Sequence, residues 1–144
     1  MVFSILPWTA RITRAIQKER KICRWDIPRI KEPSARFENM VAIELWRAVT
    51  AWNDMGYGTF SLHFIKNKEQ QEVDFLIADN GAPFLLIEAK LSDTQPSPAL
   101  LKFQKALDVN AVQLLDAGES FRLMSNGDRS ILIAPAHQWL ARLS

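Results

Sequence analysis

The sequence predicts an α/β domain built on one mixed sheet. Three observations carry that expectation: a helical stripe of apolar residues from Phe37 to Trp52, an Asn80-Gly81 pair between two strand-like apolar runs, and a Ser97-Pro98 helix start that precedes a further strand. Strands joined by tight turns should pair antiparallel, whereas a strand that returns through a crossover helix can lie parallel to the one before it.

Taken in order, residues 9–24 place Ile12, Ala15, Ile16 and Ile22 among basic side chains, which predicts a helix. The two prolines of RWDIPRIKEPS break regular structure, and Trp25 and Ile27 are expected to pin that loop to the body. Ser34 offers an N-cap. From Ala35 onward Phe37, Val41, Leu45, Ala48, Val49 and Trp52 recur at helical spacing, and the pattern stops near Asn53 and Gly56. Residues 59–66, 72–78 and 83–91 read as three strands, connected by NKEQQ and DNG. Ser97 caps and Pro98 opens a second helix with Leu100, Phe103, Ala106 and Leu107 on one face, and residues 109–115 form a fourth strand. Residues 121–124 and 131–134 flank SNGDR as a late hairpin, and HQWLARL closes as a short helix. The chain thus divides into a basic helical N-terminal extension, residues 1–34, packed on an α/β domain, residues 35–144.

A chain of 144 residues is long enough to bury one core, and its 48% hydrophobic and 24% charged residues are those of an ordinary globular protein. The lone Cys23 cannot form an internal disulfide, the apolar start MVFSILPW has no basic leader, and no apolar run approaches the length of a spanning helix. A cytoplasmic protein is the expectation. The net charge of +2 is unevenly spread: up to Arg36 the residues Arg11, Arg14, Lys18, Arg20, Lys21, Arg24, Arg29, Lys31 and Arg36 face only Glu19, Asp26 and Glu32. Such an arm suits phosphates or an acidic partner surface, and equally suits a solvated helix; Arg11, Arg14, Arg24 and the later Lys102 are the candidate nucleic-acid contacts.

The chemistry centres on EVDFLIADNGAPFLLIEAK, where charges interrupt two apolar strands. Side chains alternate across a strand, so Glu88 and Lys90 share a face with Leu86. The run FLLI before them is apolar at every position, as in a strand covered on both faces. A hairpin at Asn80-Gly81 can bring Asp74 near Glu88, and Glu38 falls within the apolar stripe of its helix and should face the sheet. Glu72 shares Asp74's face but starts the strand, and a solvated role is expected for it. Clustered carboxylates repel one another unless a hard cation such as Mg²⁺ or Mn²⁺ coordinates them. With an adjacent lysine this is a nuclease-like arrangement. The same residues also fit a plain salt bridge, or a buried network in which Lys90 neutralises Asp74 and Glu88 without metal. His63 and His137 lack zinc spacing and read as structural or surface residues, Cys23 has no neighbouring His to activate it, and no phosphate loop or dinucleotide fingerprint occurs.

The motif D-x(13)-E-A-K formed by Asp74, Glu88 and Lys90, behind a helix carrying Glu38, resembles the PD-(D/E)XK, or restriction-endonuclease-like, nuclease superfamily. RFENMVAIELW, QEVDFLI, LLIEAKLSD and LLKFQKAL, with the approach segment ILPWTARITRAIQKERKICRWD, look more specifically like the nuclease-like domain of unknown function at the C-terminus of many bacterial and archaeal AAA-type ATPases. That resemblance implies an αβββαβ core. It makes Asp74 and Glu88 ligands of Mg²⁺ or Mn²⁺, Lys90 the group acting on water or phosphate, and Glu38 a supporting acid. The implied substrate is DNA, the implied activity endonucleolytic, and an AAA-type ATPase is an implied partner. Val73 stands where a proline often precedes the Asp of the superfamily, and Gln104 is followed four residues later by Asp108 rather than a tyrosine. A catalytically inactive module that binds DNA or a protein through the same fold is the alternative.

Overall fold

The computed structural model describes residues 2–8, 21–24 and 30–143, which form one eight-stranded mixed sheet and three helices. The strands are β1 (Val2–Pro7), β2 (Lys21–Arg24), β3 (Phe60–Lys66), β4 (Glu72–Asp79), β5 (Ala82–Lys90), β6 (Asn110–Leu115), β7 (Arg122–Asn126) and β8 (Arg129–Pro135). Their spatial order is β2-β1-β3-β4-β5-β6-β8-β7. The helices are α1 (Pro33–Asp54), α2 (Pro98–Leu107) and α3 (Ala136–Ala141). Helices α1 and α3 cover one face of the sheet, packing Val41, Leu45 and Leu140 on Phe75, Ile77 and Ile87. Helix α2 covers the other, with Leu100 and Phe103 over Leu76, Leu86 and Ile133.

The sheet carries the expected mixture of directions. β3, β4 and β5 run antiparallel in sequence, and β6 lies parallel to β5 after the α2 crossover. The β4–β5 turn contains two residues, Asn80 at φ 52° and Gly81 at φ 83° between the paired Asp79 and Ala82, the backbone that suits the right-handed twist of a hairpin. Ser97 caps α2 by accepting the Leu100 N–H, and Pro98 occupies the first turn, where its missing N–H costs nothing. The late hairpin belongs to the same sheet: β8 runs parallel to β6, and β7 forms the edge beside it.

Several details differ from the sequence expectation. Lys21–Arg24 is a strand rather than the end of a helix, because KICR alternates with Cys23 buried and its neighbours exposed or half-buried. It pairs antiparallel with β1, which itself joins the edge of β3 in parallel. The remainder of the expected helix, with Arg11 and Arg14, and the loop residues Trp25 and Ile27 lie outside the described residues. Helix α1 is capped by Glu32, whose carboxylate accepts the Ser34 and Ala35 N–H groups, and not by Ser34. The FLLI run is not covered throughout. Between Ile77↔Leu85 and Ala78↔Pro83 the register slips, Phe84 is the extra residue, and the resulting bulge turns its ring outward to 53% exposure. Among the described residues no helix is long and apolar enough to cross a membrane.

Candidate functional site

The site forms where β4 and β5 part. Their ladder ends at Phe75↔Ile87, so the next residues, Asp74 and Glu88, hold opposed positions on strands whose backbone ladder has ended. The Asp74 side chain takes over instead: its Oδ2 accepts the Ala89 N–H at 3.0 Å. A second irregularity aims that side chain. His63 pairs with Leu76 and Ile65 with Val73, so Asp74 and Phe75 together oppose Phe64 in a two-against-one bulge. The extra residue turns Asp74 toward α1, the side on which Phe75 packs.

Glu88 turns the other way, toward α2. It is 4% exposed, and its Oε2 accepts the Ser97 hydroxyl at 2.7 Å. That same hydroxyl accepts the Leu100 N–H, so the cap of α2 and the orientation of Glu88 are one hydrogen-bonded unit. Glu88 Oε1 lies 3.9 Å from Lys90 Nζ. The sequence therefore places Glu88 and Lys90 together, as side-chain alternation requires, and links Asp74 to them through Ala89 rather than through Lys90.

Glu38 projects from the sheet-facing side of α1 and meets a residue not singled out from the sequence. Lys21 on β2 extends its ammonium to within 2.6 Å of Glu38 Oε1, 2.9 Å of Glu72 Oε1 and 3.9 Å of Asp74 Oδ1, and donates to the Asp74 carbonyl at 3.4 Å. The Phe64 and Phe75 rings stand 5.5 and 5.4 Å from Lys21 Nζ and wall its other side. Glu72 is thus held in an ion pair, contrary to the solvated role expected of it. Nothing in KICR marks Lys21, because its role depends on an edge strand folding across α1. A second missed residue is Gln113, fully buried beside Glu88 on β6. Its amide donates to the Asp93 and Gln95 carbonyls at 2.6 and 3.2 Å, fixing the loop that leads to Ser97, and a polar residue inside AVQLL was the available signal.

The electrostatics follow from this crowding. Burial, reinforced by Glu38 and Glu88, pushes the Asp74 carboxyl up to about 7 against the opposing pull of Lys21 and the Ala89 N–H. Burial also raises Glu88, with the Ser97 hydrogen bond and Lys90 acting in the opposite direction. Burial by itself disfavours the Lys21 ammonium, yet the Glu38 and Asp74 carboxylates outweigh it and hold the group above the ordinary lysine value. Cys23, on the same short strand, is buried and its thiol is pushed up to about 11, which makes it a poor nucleophile.

Apart from Arg24, which lines a cavity with Lys21 and Glu38, the remaining candidates lie away from this centre. Lys102 donates to Gln71 Oε1 at 3.1 Å, tying α2 to the β3–β4 loop, and Arg24 is exposed on β2 with its backbone bonded to the Asn39 amide. Gln104 is fully buried and bonds Ser130 and Asn126, so it anchors the late hairpin to α2. His63 pairs with the Ser61 hydroxyl on β3, and burial lowers its pKa. The carboxylates of Asp74, Glu88, Glu38 and Glu72 are oxygen donors of the kind a hard divalent cation takes, and burial, with a smaller push from neighbouring carboxylates, raises Asp74 and Glu88. Donor type and charge fit such a cation, while among the described residues Asp74 and Glu88 lean to opposite sides of the sheet and no group of three or more His, Cys, Asp and Glu is already arranged around one point.

The sequence model of one protein family, described as a domain of unknown function (DUF4143), matches residues 34–135. No curated protein and no solved structure matches the chain.

Proposed function

The chain belongs to the DUF4143 family, of unknown function, and we propose that it is an endonuclease-like domain of PD-(D/E)XK type that hydrolyses DNA phosphodiester bonds with Mg²⁺ or Mn²⁺. The observation that carries this reading is the pair Asp74 and Glu88, two carboxyls raised by burial at the parted ends of β4 and β5, with Lys90 one alternation beyond Glu88. Asp74 and Glu88 would hold the cation, which when bound polarises a phosphodiester and lowers the pKa of its water. The chain supplies the rest. The Ala89 N–H fixes one oxygen of Asp74, whose other oxygen lies 3.9 Å from Lys21 Nζ, and Ser97 fixes one oxygen of Glu88, whose other lies 3.9 Å from Lys90 Nζ. Lys90, 37% exposed, can turn its three donors toward a phosphate and stabilise charge that develops there. Glu38 adds negative charge beside Asp74 and thereby favours a cation at the carboxylates.

The direct test incubates the purified chain with plasmid, linear and branched DNA in Mg²⁺ or Mn²⁺ beside Glu88→Ala. Cleavage lost in the variant is the expected result; equal cleavage by both, or none on any substrate, overturns the assignment. A second reading has its own observation, Lys21 pairing with three carboxylates without any metal. On that view the fold is a non-catalytic platform for DNA or for a protein such as an AAA-type ATPase. It predicts salt-sensitive DNA binding that weakens when Arg11, Arg14 and Arg24 are replaced and ignores Glu88→Ala.

A further inference from the structure

Three carboxylates from two elements, Glu38 on α1 with Glu72 and Asp74 on β4, converge on one ammonium carried by a third, Lys21 on β2. An ammonium and a divalent cation compete for the same oxygens, and Asp74 is common to both. The element that delivers Lys21 is short and peripheral. β2 pairs with β1 over Val2↔Arg24 to Ile5↔Lys21, and β1 meets β3 through Leu6↔His63 and Pro7↔Phe64, followed by the Trp8 N–H on the Phe64 carbonyl. A cavity of 260 Å³, lined by Lys21, Cys23, Arg24, Glu38, Asn39 and Phe75 among others, opens beside the β2–α1 contact, so part of that seam is unfilled. Among the described residues its polar fastenings to α1 include the Lys21–Glu38 pair and the exchange between the Asn39 amide and the Arg24 backbone.

Resting on the metal-dependent reading above, we propose that β2 is an autoinhibitory strap: the Lys21 ammonium stands in for the divalent cation, so that cation loading and docking of β2 exclude one another. The domain is held off while Lys21 is seated. Loading withdraws Lys21, removes the Lys21–Glu38 fastening and loosens β2 from α1. The strap also helps three carboxylates to stand together at half-buried positions, since Lys21 offsets part of their charge in the closed state.

The test is Mn²⁺ binding to the whole chain, read by the paramagnetic resonance of free Mn²⁺, for the wild type, Lys21→Met and Lys21→Arg. Lys21→Met should bind roughly tenfold tighter or more, the effect of removing a fixed unit charge a few ångströms away under solvent screening, and Lys21→Arg should stay near the wild type. A second measurement needs no variant. Cys23, the chain's sole cysteine and 3% exposed, should react several-fold faster with an aromatic disulfide at saturating Mn²⁺ than in its absence. Equal Mn²⁺ affinity in wild type and Lys21→Met, or an unchanged Cys23 rate at saturation, overturns the strap and leaves the cation site standing. Absence of Mn²⁺ binding in every variant overturns the cation site and the strap with it.

Discussion

Asp74 carries the sharpest consequence at the scale of single residues. Its carboxyl rises from 3.8 in the unfolded chain to about 7 in the fold, so between those values the folded state holds a proton that the unfolded state has released. Stability in cation-free buffer should therefore fall as pH rises from about 4 to about 7, by no more than about 4 kcal/mol, and the raised Glu88 acts in the same direction. Urea midpoints across that range should slope downward for the wild type and flatten for Asp74→Asn; an equal slope in both would place the titrating group elsewhere. Glu38, Asp74, Glu88 and Lys90 were legible as candidates because each is a charge inside an apolar pattern. Lys21 and Glu72 were not, since an ion pair between residues 51 positions apart leaves no local mark. The roles of Ser97 and Gln113 beside Glu88 depend likewise on where a crossover helix and its loop land on the sheet.

At the scale of elements, turn and cap chemistry set the strands that present the site. Gly81 has φ 83° with open space around its missing Cβ, so Gly81→Ala meets only backbone strain and should cost about 1 kcal/mol. A lowered urea midpoint with an unchanged denaturant slope is the expected reading. Ser97→Ala removes the cap of α2 and the hydroxyl that serves buried Glu88, and should cost about 2 kcal/mol, seen as a lower thermal midpoint that Ser97→Thr largely restores. The second helix and the Asn80-Gly81 hairpin were readable from just such signals. Both bulges were not, because a two-against-one register depends on the partner strand; one turns Asp74 toward α1 and the other turns Phe84 into solvent. The strand at Lys21 was hidden for a different reason. Four residues give too short an alternation to outweigh the run of basic residues before it.

The whole molecule is a sheet whose centre, β3 to β6, was largely inferable from a hairpin and a crossover, whereas the place of the late β7–β8 hairpin in that sheet and the β2–β1 edge were not. That edge brings Lys21 over the same carboxylates that the β4–β5 hairpin exposes, so tertiary assembly decides whether the cluster is a cation site, a neutralised network, or one that switches between them. The measurement closest to the central claim is a calorimetric titration of the wild-type chain with Mn²⁺ or Mg²⁺ beside Asp74→Asn, with no DNA present. Saturable binding in the wild type, weakened at least about tenfold when one anionic ligand is lost, is the predicted result. Equal binding by the two chains, or no binding by the wild type, would contradict it.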